Sequence, residues 1–368
     1  MELVTPPVGM AHITNDLSDL VRDRISQASE CKLLCAIQPN SPPHIGTVTT
    51  LMCGFALAQK FKRDFKKEVS ICFDQLENAP AKQINLDGKK YSLQLSQVFN
   101  DGYSIDEKNM VSYYKLLDDL SALSGVRYFV RTYSMLQANK VFRKSLLTIL
   151  NKKDKFSELL SPSDYLLKVR FPCPKCGFSE KSSKTLDISF VSDEKAVLFA
   201  SCAKHGQYSI VLTPNNDTYI DTNTSIRSVL KAVVAYYEYE ENKTVSFMIN
   251  GSDWAGMWLQ RIYIDALAEL GYHGKGIPLH IFTPLIVDWS GAKLSKSIYV
   301  NTDSYKYLSA GFMDYDLLKN NYRNNVTKIL WKEVLKWIQT PELFFRNYSI
   351  DYLKKIVLKD DDKNFFYQ

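Results

Sequence analysis

The apolar run at 32–37 (KLLCAI) ends abruptly at Pro39-Asn40-Ser41-Pro42-Pro43. Prolines fix φ and lack an N–H, so this segment can neither continue a strand nor enter a helix early. Directly after it, Val48, Leu51, Met52 and Phe55 recur at helical spacing, which predicts a helix from near Gly46 to about Lys62. A second short apolar run, 69–73 (VSICF), reads as another buried strand. Strand, tight loop, helix, strand is the opening of a doubly wound α/β domain.

Further along, about 78 to 160 is polar and helix-prone and reads as an insertion. From 164 to about 213, β-rich runs surround three cysteines, and 226–238 has a helical pattern. A strand follows at 244–249 (TVSFMI). Asn250-Gly251-Ser252-Asp253 then opens a helix that runs through Leu270 and is closed by Gly271. Another strand is expected at 278–283. Beyond Ser297 the chain turns helical, with Leu330, Val334, Leu335, Ile338 and Phe344 marking apolar faces.

Composition bounds the compartment and size. The chain has 368 residues, 45% of them hydrophobic, enough for one large core or two to three smaller ones. No apolar run approaches the ~20 residues that cross a bilayer. Residues 1–10 lack the basic-then-apolar pattern of an export signal, so a cytoplasmic protein with no membrane partner is expected. Triplets such as Asn347-Tyr348-Ser349 are then chance matches to a glycosylation site. Seven cysteines is an odd count for a disulfide framework. Cys31, Cys35, Cys53 and Cys72 lie in or beside apolar runs and read as small core residues. A net charge of +6 is compatible with RNA or a nucleoside triphosphate but discriminates little.

The remaining three cysteines form a pattern. Cys173-x-x-Cys176 is followed by Cys202-x-x-His205, with Gly177 and Gly206 trailing the two knuckles. Three thiolates and an imidazole at this spacing suit tetrahedral Zn2+, and four protein ligands leave no position open for chemistry. A structural role is expected, clamping a β-rich insertion that cannot fold alone. The alternative is a disulfide or idle thiols.

Neither the G-x-x-x-x-G-K-[ST] loop nor the G-x-G-x-x-G turn occurs, so any phosphate must be held differently. Pro43-His44-Ile45-Gly46-Thr47 sets an imidazole just before a helix N-terminus, whose free N–H groups and dipole favour anions. Lys293-Leu294-Ser295-Lys296-Ser297, after Ser290-Gly291-Ala292, offers two lysines in a small-residue loop that can meet pyrophosphate as point charges. Taken singly, the first also reads as a helix-capping histidine and the second as a solvated basic loop.

In that order, after the first strand and after the last, the two segments resemble the paired signature of class I aminoacyl-tRNA synthetases. Gly251-Ser252-Asp253-Trp254 is similar to that family's G-x-D element, whose aspartate contacts the ATP ribose. Within class I the chain looks most like the class I lysyl-tRNA synthetases. Phe73-Asp74-Gln75-Leu76-Glu77-Asn78-Ala79-Pro80 resembles their acidic segment after the second strand, and Cys173-Pro174-Lys175-Cys176-Gly177 their zinc-bearing insertion. The resemblance covers roughly 30 to 300. It departs from the family at Thr47, where His or Asn is usual, at Ile298-Tyr299, where Gly-Asn follows the second motif, and at Trp254, where lysyl enzymes carry His.

The resemblance implies an α/β, doubly wound parallel sheet of the Rossmann-like, class I synthetase type. Its expected parts are a first half with a helical insertion (1–160), a zinc-binding insertion (161–220), a second half with the KLSKS loop (221–300) and a short helical C-terminal region (301–368). It implies catalytic His44, Lys293 and Lys296, with ATP held by Pro43, His44, Gly46, Thr47, Gly251, Asp253, Lys293, Ser295 and Lys296, and Mg2+ carried by the phosphates. No side-chain nucleophile is needed, because the substrate carboxylate attacks the α-phosphorus of ATP in line.

For the amino acid, Asp74 and Glu77 follow a strand at the carboxyl edge of the expected sheet, where ligands bind in such folds. Either can accept from the substrate ammonium or act as a cap or surface acid. Trp254, Trp258 and Gln260 shape the pocket or pack in the core. Lysine is the substrate that the resemblance implies. About seventy residues follow Ser297, fewer than the helical anticodon-binding domain of lysyl-like enzymes needs. They include Lys319, Tyr322, Arg323, Lys328, Trp331, Lys332, Lys336, Trp337, Phe344, Phe345 and Arg346, a mixture that binds RNA or packs. The expected reaction is therefore formation of an aminoacyl adenylate, then acyl transfer to a tRNA acceptor stem or a small amine without anticodon reading. Two alternatives are ordinary anticodon-dependent charging and an inactive paralogue that binds RNA or a partner enzyme as a regulator. Oligomeric state is not assigned.

Overall fold

The computed structural model describes residues 14–97, 105–256, 258–294, 310–321 and 325–363. Five strands, β1 (Glu30–Ile37), β2 (Glu68–Gln75), β3 (Tyr128–Thr132), β4 (Thr244–Gly251) and β5 (Leu279–Thr283), pair in parallel in the order β5-β4-β1-β2-β3. Side chains alternate across a strand, so neighbours in sequence enter different cores. Leu33, Ile71 and Phe247 face one cluster, while Leu34, Cys72 and Met248 face the other. Because both faces are covered, β1, β2 and β4 read as continuous apolar runs rather than alternating ones.

One face is covered by α1 (Ile45–Phe65) and α2 (Ile105–Ser124), the opposite face by α3 (Lys140–Asn151) and α4 (Thr224–Asn242). After α4 the chain adds β4 to the free edge of β1, then β5 beyond it. The strand order therefore reverses between β1 and β4, and in open α/β sheets ligands bind outside the carboxyl ends of the strands at such a point. Cys31, Cys35, Cys53 and Cys72 are buried, as expected of small core residues.

Two local expectations change. The stretch at 78–160 is no simple helical insertion, since it holds α2 and β3 of the main sheet. β3 is an edge strand with Phe129 facing solvent, so burial on two faces leaves no signature there. The same stretch begins with a hairpin, Pro80–Leu86 with Lys89–Gln94, turned at Asp87 and Gly88, both with positive φ (49° and 70°). Asp-Gly is a strong hairpin signal because this turn needs left-handed backbone at both positions. Likewise, no single helix spans 250 to 270. A 3-10 turn at Ser252–Trp254 is followed by Gly256 at φ 75°, then a π-helical segment, Trp258–Asp265, and a short α-turn, Ala266–Glu269.

The C-terminal helices α5 (Val326–Gln339) and α6 (Ile350–Lys363) share one core with α1 and the sheet. Trp337 is fully buried, stacks on Tyr348 at 4.0 Å and donates its Nε1–H to Glu333 at 3.0 Å. Trp331 and Phe344 are buried in the same cluster, so these aromatics pack. Tyr322 and Arg323 lie outside the described residues. No helix among the described residues is long and apolar enough to cross a membrane.

Candidate functional site

A cleft of about 730 Å³ opens at the carboxyl edge of β1 and β4. The prolines after β1 prevent the strand from continuing, and α1 starts with His44 as its N-cap. His44 Nδ1 accepts the Gly46 N–H at 3.1 Å, so the neutral ring carries its proton on Nε2. A Cβ on Gly46 would lie 2.9 Å from the imidazole, which is why this position is glycine. His44 and Thr47 both line the cleft. Pro43 stands beside them and accepts the Tyr315 N–H through its carbonyl at 3.0 Å.

Across the cleft, Lys293 reaches Asp253 at 2.5 Å, and both side chains are part-exposed. A Cβ on Gly251 would sit 2.6 Å from the Asp253 carboxylate, so glycine lets that carboxylate fold back against the end of β4. Lys293 is held by a bridge to Val287 after a tight turn in which Asp288 Oδ1 accepts the Ser290 and Ala292 N–H groups. Ser290 donates to Asp288 as well, which holds that carboxyl below its usual range. Ser295, Lys296, Ser297, Ile298 and Tyr299 lie outside the described residues.

Trp254 and Trp258 also line the cleft, meeting edge to face at 5.0 Å. Behind them Trp258 stacks on Tyr263, and His280 sits edge-on to both rings. Burial, and then the nearby Lys231 charge, lower the His280 pKa to about 3, so the ring is neutral.

Asp74 and Glu77 are not among the cleft-lining residues. Asp74 is 1% exposed and lies 2.7 Å from Arg131 Nε and 3.1 Å from Lys231 Nζ. Burial alone would raise its pKa, but the Arg131 and Lys231 charges outweigh that and hold it below the carboxylate range. Glu77 accepts the Tyr133 and Ser134 N–H groups, each at 2.6 Å, and thereby caps the helix Tyr133–Ala138. Both acids are occupied within the protein.

Further cations that no sequence motif marks also line the cleft. Thr224, Arg227, Ser228 and Lys231 stand at i, i+3, i+4 and i+7 on α4, a polar stripe on the half of the helix that packs against the sheet. That spacing was visible but fell outside any motif. Lys90, from the Asp-Gly hairpin, and Lys181, just after the cysteine knuckle, complete the rim. Burial, with Lys90 and Arg170 nearby, lowers the Lys181 pKa.

A second centre lies in the β-rich insertion. Cys173, Cys176, Cys202 and His205 bring one ligand atom each within 4.8 Å of one another. Cys176 Sγ and Cys202 Sγ are 3.6 Å apart, and His205 Nδ1 is 3.6 Å from both Cys173 Sγ and Cys202 Sγ. A tetrahedron of Zn–S bonds near 2.3 Å has edges of about 3.8 Å, so the donor set fits a metal such as zinc. Gly177 and Gly206, at φ 74° and 73°, let the two knuckles turn inward. The second knuckle joins the strands Ala196–Cys202 and Gly206–Leu212, and Ser179–Glu180 beyond the first adds to the hairpin that carries Lys90.

No family model matches the sequence, and no curated protein matches it. Among solved structures, a Campylobacter jejuni protein named as a putative arginyl-tRNA synthetase is similar, with 9% identity and a TM-score of 0.33. The match covers 85% of this chain and 66% of that one, just under two thirds of its length. A likeness of this size carries no argument about chemistry, which rests on the cleft and on the cysteine cluster.

Proposed function

We propose that the chain is an ATP-dependent, adenylate-forming ligase with a Rossmann-like fold of the class I synthetase type. The supporting observation is one cleft that unites His44 and Thr47 at the N-terminus of α1 with Lys293 beside Asp253, at the point where the strand order reverses. On this reading the α- and β-phosphates lie against the α1 N-terminus, and His44 Nε2–H donates to them. Lys293 exchanges Asp253 for phosphate oxygens, which frees Asp253 to accept from the ribose. Mg2+ enters with ATP, held by its phosphates. An α-carboxylate oxygen attacks the α-phosphorus. The new O–P bond forms as the α–β anhydride breaks, and pyrophosphate departs with the electron pair. The protein's work is positioning and charge stabilisation.

The acyl carbon of the adenylate is then attacked by an acceptor, either the hydroxyl of a tRNA acceptor stem or a small amine; the mixed anhydride breaks, AMP departs with the electron pair, the acceptor gives up a proton, and an ester or an amide results. Zinc held by Cys173, Cys176, Cys202 and His205 supplies no chemistry to the step. It ties the knuckles that carry the rim of the cleft. Ordinary anticodon-dependent charging shares the first step, and an inactive paralogue lacks it.

ATP–pyrophosphate exchange on the wild type and Lys293→Ala tests the reading. Exchange that depends on one carboxylic acid and is lost in Lys293→Ala supports it. Failure to bind ATP or its non-hydrolysable analogue sinks it.

A further inference from the structure

The cleft has two ends, because α1 and α4 lie on opposite faces of the sheet. The phosphate-facing groups His44 and Thr47 stand on α1. Arg227, Ser228 and Lys231 stand on α4, so they flank the opposite end, together with Met248 and Trp258. Resting on the adenylating reading, this second end belongs to the acid that is activated.

Its chemistry is one-sided. No Asp or Glu lines the cleft among the described residues. Arg227 is 5% exposed, donates to the Thr222 carbonyl at 3.0 Å and the Thr224 hydroxyl at 3.1 Å and lies over the Tyr133 ring; it forms no ion pair among the described residues, and the Asp221 carboxylate whose charge acts on it is paired with Arg170 at 2.6 Å. Lys231 shares Asp74 with Arg131, so that trio keeps a net positive charge. A buried guanidinium without a counter-ion is costly unless a ligand supplies one.

A neutral donor on a cleft-lining side chain adds to this. Trp258 Nε1 is buried with no hydrogen-bond partner, and an indole nitrogen can only donate. An ε-ammonium placed here would meet cations and donors and find no anionic partner. A second carboxylate would find a guanidinium.

We propose that the activated substrate is an amino acid with an anionic side chain, whose second carboxylate is received by Arg227 and Lys231 while its α-carboxylate faces ATP. Lysine, implied by the family resemblance, is disfavoured on this ground. The two acids expected to hold its ammonium are the ones occupied by Arg131, Lys231 and the Tyr133 helix.

The experiment is pyrophosphate exchange on the intact wild-type chain with aspartate, glutamate, their amides, lysine, arginine and an apolar set, alongside titration with a non-hydrolysable ATP analogue. Aspartate or glutamate should drive exchange. Arg227→Gln should raise its KM about 10- to 100-fold, the loss expected for a charged hydrogen bond, with kcat little changed. Arg227→Lys should recover part of the loss, and thermal melts of both variants separate binding from misfolding. Exchange driven by lysine, arginine or an apolar acid in preference to both dicarboxylic acids overturns the proposal and leaves the adenylating reading intact. Silence with both dicarboxylic acids overturns it too, and the ATP titration then reports on that reading independently.

Discussion

Asp74→Asn separates a structural acid from a substrate-binding one. Asp74 sits between Arg131 at 2.7 Å and Lys231 at 3.1 Å, with side-chain exposures of 2%, 14% and 9%. Neutralising it leaves two largely buried cations without their anion, and breaking such a buried pair costs about 3–5 kcal/mol. With a urea slope of about 3 kcal/mol/M, the unfolding midpoint falls by about 1–1.7 M. Arg131 Nη2 is already buried without a hydrogen-bond partner, so the site has little slack to absorb the loss. Removing one cation as well, in Asp74→Asn/Arg131→Met, should recover part of the stability. The pH dependence has a defined sign. Burial raises the Asp74 pKa and the two cations more than reverse that, so the folded value lies below the unfolded ~3.9. Its contribution is fully present above the unfolded value and is lost as pH falls through the folded one, so the variant should show a flatter acid limb. Urea titration at pH 7 and at several pH values below the unfolded ~3.9 reads both effects. A loss below about 1 kcal/mol, the range of exposed pairs, would refute the reasoning, and a raised substrate KM at unchanged stability would return Asp74 to the substrate.

Other perturbations reach the remaining parts. His44→Asn keeps a good N-cap but removes Nε2, so exchange kcat should fall about 10²- to 10³-fold while the melting temperature holds; equal losses in both would make His44 only a cap. Metal analysis should find one zinc per chain, and Cys173→Ser should lose it and expose the hairpin Ala196–Leu212 to limited proteolysis. Zinc retained at full stoichiometry in that variant would contradict the four-ligand assignment. Trp337→Ala removes a fully buried ring stacked on Tyr348 and should cost about 3–5 kcal/mol in urea unfolding without changing exchange below the melt.

Much of the fold was legible because its signals are local. Buried parallel strands show as short apolar runs, and β1, β2 and β4 appeared that way, each within two residues of its ends. The prolines and Gly46 marked the turn into α1, and the x-x spacing of the cysteines marked the knuckles, since both depend on a few neighbouring residues. β3 was missed because an edge strand has no need of two apolar faces, and the helix expected from Asn250 was interrupted by the left-handed Gly256.

The site divides along the same line. Which residues reach the cleft from the turn into α1 and from the loop after β5 follows from motif-sized segments, so His44, Thr47 and Lys293 could be named in advance. Whether an acid is available to a ligand depends on what lies against it from elsewhere in the chain. Arg131 and Lys231 reach Asp74 from β3 and α4, and the Tyr133 helix consumes Glu77. Arg227, silent in the sequence as one member of a polar stripe, gains its meaning from burial with no ion-pairing carboxylate among the described residues. Local spacing determines which groups a segment offers, and tertiary packing determines which of them remain uncompensated, because charge neutralisation acts through space between segments far apart in sequence.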